Sequence, residues 1–194
     1  MAVPDRLETR RLLLRRHEPD DAPALVRALG DWAVVKWLAE VPLPYTMEHA
    51  LDWIALTRSA WHQGRDYQLL VALKPDGPVI GQVGLRVDTS FEPTERSAEL
   101  GYWLAAADWG HGYGPEAARA MVDFGFRYLG LDRIRATCLP DNRRSLAVLT
   151  GLGFRPEGKL RLRFVARGVT LEVLELDLDR PAWRDTVVAG APSA

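Results

Sequence analysis

The segment Trp109-Gly110-His111-Gly112-Tyr113-Gly114-Pro115-Glu116-Ala117 sets glycine at three alternate positions just ahead of a run with helical periodicity. Glycine admits left-handed backbone and close approach, so successive N–H groups can converge on one anion, and the positive end of the following helix adds to the attraction. The pattern reads as a cradle for a phosphate or pyrophosphate, with bulky replacements at Gly112 or Gly114 expected to spoil it; a loop that only turns the chain is the plainer alternative. Two other nucleotide motifs fail on spacing. A dinucleotide fingerprint needs a third glycine where Pro115 stands. Gly153 to Leu160 has the glycine and lysine spacing of a phosphate loop, yet Leu160 replaces the hydroxyl residue that would hold magnesium, and a helix precedes it instead of a strand. His17, His49, His62 and His111 show no paired metal-ligand spacing, so no metal is expected. Cys138, the one cysteine, lies on an apolar strand and reads as a core thiol.

These residues need elements to position them. Leu7 to Arg16 reads as a first strand, and Pro19-Asp20-Asp21 opens a helix that Gly30 closes. Asp31 to Glu40 suggests a second helix. Thr46 caps a third, with Met47, Ala50, Leu51, Ile54, Ala55 and Trp61 on one face. Tyr67–Leu73, Val79–Val87 and Ser97–Leu104 alternate as three strands of an antiparallel meander. A helix starts at Pro115 and stops at Gly130, a strand covers Ile134–Cys138, and Asp141-Asn142 caps a helix ending at Gly153-Phe154. A hairpin turns at Arg167-Gly168, and the parity change between Val173 and Leu174 predicts a bulge. Residues 182–194 read as a loose tail beyond a single domain of residues 1–181. The order is α+β, most simply a three-layer arrangement.

Glu99-Leu100-Gly101-Tyr102-Trp103-Leu104, the Gly112-Tyr113-Gly114-Pro115-Glu116-Ala117 turn, Asn142-Arg143-Arg144-Ser145 and Leu152-Gly153-Phe154 together resemble the GNAT acyl-CoA-dependent N-acetyltransferases. The RimJ/RimL-like branch matches best, including the opening Leu7-Glu8-Thr9-Arg10-Arg11-Leu12. The resemblance implies a central, mostly antiparallel sheet splayed in the middle. It implies acetyl-CoA as co-substrate, its pantetheine arm on the strand that ends at Trp103 and Leu104, and its pyrophosphate on the backbone of Gly110, His111, Gly112, Tyr113, Gly114 and Pro115. The sequence departs from the family twice. Trp109 stands where the loop usually carries Gln or Arg, and Leu149 stands where many members carry the tyrosine that protonates the departing thiolate. Ser145, in an Asn-x-x-Ser motif, is the replacement the resemblance suggests.

The reaction sets its own requirements. An amine must lose a proton before it attacks a thioester, and a leaving thiolate benefits from a hydroxyl donor. Glu99, interrupting a strand just before the cofactor edge, is the base candidate; as a structural residue it would face outward or pair with Arg96. Ser145 has a structural alternative as an early helical hydroxyl, and Asn142 serves equally as helix cap or cofactor contact. Trp32, Trp37, Trp53 and Trp61 fall in the segment that, by resemblance, walls the acceptor site. Arg155, Lys159, Arg161, Arg163 and Arg167 form a basic run that suits a solvated hairpin or an acidic acceptor.

Composition narrows the field further. In 194 residues, 25 Lys and Arg nearly balance 26 Asp and Glu, for a formal net charge of -1. The cationic excess of an electrostatic nucleic-acid binder is missing, so an RNA-associated role is a weak rival. No membrane anchor or signal segment is visible, and one cysteine suits a reducing cytoplasm. The expected partner is an amine-bearing acceptor, a peptide N-terminus or a small molecule, and a homodimer is an open option. A non-catalytic acyl-CoA-binding module of the same fold is the alternative to an enzyme.

Overall fold

Thr9 turns the chain back on itself: β1 (Arg6–Glu8) and β2 (Leu12–Arg15) pair antiparallel, Leu7 opposite Leu14, where the sequence suggested one strand. The turn is held from far along the chain, because Glu116 accepts from Thr9 Oγ1 at 2.5 Å and from the Arg11 N–H at 2.9 Å. No local pattern carries that partner. The structure, a computed structural model, describes residues 3–88 and 95–189.

After a single 3-10 turn at Pro19–Asp21 come α1 (Ala22–Leu29), α2 (Trp32–Val35) and α3 (Met47–His62). Asp31 and Thr46 cap as their types predict, accepting from the N–H groups of Ala33 and His49. The helix expected over Asp31–Glu40 ends at Val35 because the following segment is recruited elsewhere. Lys36 O accepts from Arg167 Nε at 2.8 Å, Ala39 O accepts from the Val165 N–H at 2.9 Å, and Glu40 pairs with Arg86. The buried face of α3 is Ala50, Ile54, Thr57 and Ala60, while Met47, Leu51 and Ala55 are exposed. The apolar residues of this helix therefore mark its core face only in part, since Met47, Leu51, Ala55 and Leu56 look outward and a threonine looks in.

The meander follows as read: β3 (Asp66–Leu73), β4 (Val79–Val87) and β5 (Ser97–Leu104), each antiparallel to the last. Then α4 (Tyr113–Tyr128) crosses to β6 (Arg133–Cys138), and α5 (Arg143–Gly151) leads to the hairpin β7 (Arg155–Phe164) and β8 (Val169–Asp179). Among the described residues the sheet has eight strands in the order β1-β2-β3-β4-β5-β6-β8-β7. The register break of the β7–β8 hairpin lies on β7 between Pro156 and Gly158, not at Val173. The parity change in β8 has another cause, which is that both its faces are covered. Leu176 and Leu178 face the main core, and Val173 packs with Leu139 and Phe164.

Residues 182–189, expected as part of a loose tail, belong to α6 (Arg180–Ala189). Trp183 anchors it, stacking on Phe126 at 5.0 Å between centroids and donating Nε1–H to Asp123 at 2.7 Å. Residues 190–194 lie outside the described residues. Along one face of the sheet, Met121, Phe124 and Phe126 of α4 are buried with Leu12, Leu14, Leu69, Leu85 and Leu100, each such side chain contributing about 1.5–3 kcal/mol. On the other face α1 and α3 bury Leu25, Leu29, Ala50 and Ile54 against Leu70. Among the described residues no helix is long and apolar enough to cross a membrane.

Candidate active site

Among the described residues, β5 and β6 form the sheet's one parallel pairing, and it is short. β5 and β6 meet only at Ser97, Ala98 and Glu99, opposite Arg133, Ile134 and Arg135. Beyond Glu99, β5 runs on to Leu104 paired with β4 alone, and β6 runs on to Cys138 paired with β8 alone. The two strands splay, and a cavity of about 1490 Å³ opens along the split, lined on one side by Glu99 to Leu104 and on the other by Ala136 to Leu139. A split sheet leaves strand edges with unused N–H and C=O groups, which an extended ligand can take up. Gly101 keeps that edge clear, since a Cβ there would meet no atom within 4 Å.

The glycine loop forms the end of this cavity. Gly110 and Gly112 have φ of 82° and 77°, a left-handed backbone that only glycine adopts without strain. Gly112 is the N-cap of α4, so the helix starts at Tyr113, two residues before the expected Pro115. Gly114 lies within the first turn, has no positive φ and has space for a Cβ, so the conformational demand expected there falls on Gly110 instead. Among the described residues, the N–H groups of 110–114 make no hydrogen bond to protein. Five amides at a helix N-terminus are thus free for an anion.

Side chains brace the loop. Arg11 Nη1 donates to His111 O at 2.9 Å, its Nε meets Glu116 at 2.7 Å, and its guanidinium lies 4.7 Å from the Tyr113 ring centroid. Trp109 donates Nε1–H to Leu104 O at 2.9 Å, tying the loop to the end of β5, and carries Arg144 on its ring face at 4.3 Å. None of Arg11, Trp109 and Arg144 stands out by type alone. The one visible signal was the departure at Trp109.

Glu99 and Ser145 both line the cavity but reach it from opposite faces of the sheet. Glu99 shares a strand face with Trp103, which packs with the α1 and α3 core, and its carboxylate accepts from Thr137 Oγ1 at 3.2 Å across the split. It makes no ion pair with Arg96. Directly opposite Glu99 on β4 is Arg86, drawn away into a bidentate pair with Glu40 at 2.9 and 3.0 Å. Ser145, in the first turn of α5, lies on the side of Leu100, Tyr102 and Leu104. Its Oγ is 2.9 Å from Tyr102 Oη, and its N–H donates to Asn142 Oδ1 at 3.3 Å, so Asn142 is the helix cap. Burial pushes the Tyr102 phenol up, beyond the reach of ordinary solution pH, and the Ser145 bond offsets only part of that. The sequence marks no role for Tyr102, because its strand parity reads as core and only the fold brings α5 above it.

The remaining candidates fall outside the chemistry. Burial pushes the Cys138 thiol up, which suits a core residue. His17 is buried and pushed down to about 4 by desolvation, with Nε2 held by Gln82 at 2.9 Å, so it is neutral near pH 7. Gln82 also accepts from Trp53 Nε1 at 2.9 Å, which fixes that indole in the cavity wall.

A mixed sheet splayed beside a glycine-capped helix, with a cavity running between its halves, is the arrangement that the GNAT resemblance implied. The family model for the GNAT acetyltransferase domain matches residues 11–155. N-acetyltransferase p20 of Bacillus licheniformis is 32% identical over 172 residues, 89% of this chain and 94% of that protein. RimJ of Mycobacterium smegmatis, solved in complex with CoA-disulfide, is 29% identical with a TM-score of 0.78, over 92% of this chain and 89% of that one. An acetyltransferase of Agrobacterium tumefaciens is 26% identical with a TM-score of 0.70, over 93% and 96%. The chain belongs to the GNAT acetyltransferase family, is RimJ-like within it, and is an acetyltransferase.

Proposed function

We propose that this acetyltransferase takes its acetyl group from acetyl-CoA and transfers it to an amine, a peptide N-terminus or a small-molecule amine, by direct attack in a ternary complex. The observation that carries the reading is the glycine loop: five unbonded amides cap α4 at the end of the strand whose free edge borders the split. The site fits the cofactor by its chemistry, with amides and a helix N-terminus for a pyrophosphate, an open strand edge at Gly101 to Leu104 for an amide-bearing arm, and a wide cavity between them. CoA bound to the related RimJ supports the same assignment.

Acetyl-CoA, when bound, supplies an activated thioester. This chain's residues then do the rest. Trp103, Leu104 and the amides of Gly110 to Gly114 orient it, with Asn142 holding the start of α5 alongside. Glu99 takes the proton of the acceptor ammonium, directly or through water, from the α1–α3 face of the split. Its competing cation is engaged by Glu40, which leaves the carboxylate with the Thr137 hydroxyl as its bonded neighbour. Ser145 offers a proton at Oγ from the other face, and Tyr102, hydrogen-bonded to it, stands behind that hydroxyl. Base and acid thereby reach the same cavity from opposite faces of the sheet, so that one can serve the attacking amine and the other the departing thiolate.

The acceptor half is walled by Trp37, Trp53, Tyr45 and Phe164, which suits an amine on an apolar body. A screen of acceptors, from peptides with varied N-termini to polyamines, with thiol release from acetyl-CoA as readout, tests the reading. Amine-dependent thiol release is expected; its absence across a broad panel, in protein that binds CoA, would overturn it.

A further inference from the structure

The N-terminus of α5 carries two cations where the helix dipole disfavours them. Arg143 and Arg144 occupy the first turn, which contains no acidic residue. Placement against the local rule marks a position kept for another purpose. Only Arg144 lines the cavity. Its guanidinium sits over the Trp109 ring, 4.3 Å from the centroid, and Trp109 is itself fixed by its bond to Leu104 O. A guanidinium already held on a ring face loses less freedom on meeting an anion than one on a free side chain.

The surrounding charges single it out. Arg11, the other arginine at the loop, is neutralised by Glu116 at 2.7 Å. No carboxylate among the described residues pairs with Arg144, and Asp108 on the same cavity wall forms no ion pair with it. Gly110 and Gly112, with their free amides, line the same end of the cavity. Two helix starts and one uncompensated guanidinium thus share a rim, a concentration of positive charge that an anion would relieve.

We infer that Arg144, braced on the face of Trp109, is the side-chain cation for a phosphate of the bound CoA, and that Trp109 serves as its platform. The inference rests on the cofactor reading above. It gives the Trp109 departure a purpose: the side-chain charge is delivered from α5 onto the loop instead of from the loop itself.

Calorimetric titration of the purified protein with CoA tests this. Charge-assisted bonds to phosphate at a partly solvated rim predict that Arg144→Ala raises Kd about tenfold. Arg143→Ala, one residue away and outside the cavity, leaves Kd unchanged. Trp109→Leu produces most of the Arg144→Ala loss, and the double variant is little weaker than Arg144→Ala alone if the indole acts through the arginine. Dephospho-CoA locates the contact. A penalty that persists assigns the pyrophosphate, and one that vanishes assigns the ribose 3′-phosphate. Thermal melting guards against a merely structural role, since the ligand-free midpoint stays near wild type while the rise on adding CoA shrinks. Wild-type affinity in Arg144→Ala, an equal loss in Arg143→Ala, or an equal drop in midpoint with and without CoA would each overturn the inference. Wild-type protein that binds no CoA brings down the cofactor reading itself, a result distinct from any of these.

Discussion

Glu99 owes its candidacy to what surrounds it rather than to its own type. It accepts one hydrogen bond, from Thr137, and the arginine opposite it is held by another carboxylate. Glu99→Gln preserves the Thr137 bond and removes the charge. We expect kcat/KM to fall by roughly a hundred- to ten-thousandfold and the acidic limb of its pH profile to disappear; wild-type values with the limb intact would return Glu99 to a structural role. Ser145 and Tyr102 form a second pair to separate. Ser145→Ala should lower kcat by about tenfold or more while CoA affinity holds, and Tyr102→Phe should slow the wild type yet add little to Ser145→Ala. A Tyr102→Phe loss of equal size in both backgrounds would detach the phenol from the serine. Glu99 and Ser145 are legible as candidates that line the cavity because they sit in ordered motifs. Tyr102 was not, because a strand tyrosine of core parity shows a partner only when α5 is laid across it. Asn142, readable two ways, resolves into a cap through its 3.3 Å bond from the Ser145 N–H.

At the scale of elements, the loop works because a remote hairpin holds it. Glu116, in the first turn of α4, gathers Thr9 Oγ1, the Arg11 N–H and the Arg11 guanidinium. Desolvation pushes this carboxyl up, but those three bonds together hold it below its ordinary value of 4.5. A carboxylate with a depressed folded pKa contributes stability that is complete above the unfolded pKa and is lost as pH falls through the folded one. Glu116→Gln should therefore cost about 1–3 kcal/mol at pH 7. The gap between variant and wild type should narrow below about pH 4.5. Denaturant unfolding across pH measures this, and a gap that stays constant into acid would show that shape, not charge, makes the tie. The meander, α4 and the β7–β8 hairpin were readable from period and punctuation. The β1–β2 turn, the short α2 and the outward apolar face of α3 were not, since each is set by partners distant in sequence: Glu116, Val165 with Arg167, and the sheet beneath.

Across the whole molecule, the sheet halves join through three residue pairs on β5 and β6, and the segment following α2 spans the acceptor side between them. Ala39 is bonded to the β7–β8 turn by Val165, and Glu40 to β4 by Arg86, so one short stretch is tied to both halves. Trp37 and Val41 of the same stretch line the cavity. Hydrophobic pattern could not reveal this arrangement, because the ties are one backbone bond, one arginine-to-carbonyl bond and an exposed ion pair. Glu40 does two jobs here, fixing the strap and occupying the guanidinium that faces Glu99 in the ladder. Arg86 holds the Glu40 carboxyl below the usual range, so the pair is ionised through neutral pH and lost only in acid. Glu40→Ala should raise KM for the acceptor several-fold with a smaller effect on CoA affinity, since the Glu40 carboxylate bonds to β4 and not to the glycine loop. It should also leave Arg86 with Asp66, at 3.7 Å, as its remaining ion-pair partner and so able to turn toward Glu99, which would depress the base and move the acidic limb of kcat/KM to lower pH with a smaller plateau. The double variant Glu40→Ala, Arg86→Ala separates the two effects: the limb should return toward its wild-type position, and the raised KM should remain. If the limb does not move in Glu40→Ala, or moves and fails to return when Arg86 is also removed, then the cation opposite Glu99 has no hold on the proton, and the strap acts on acceptor binding alone.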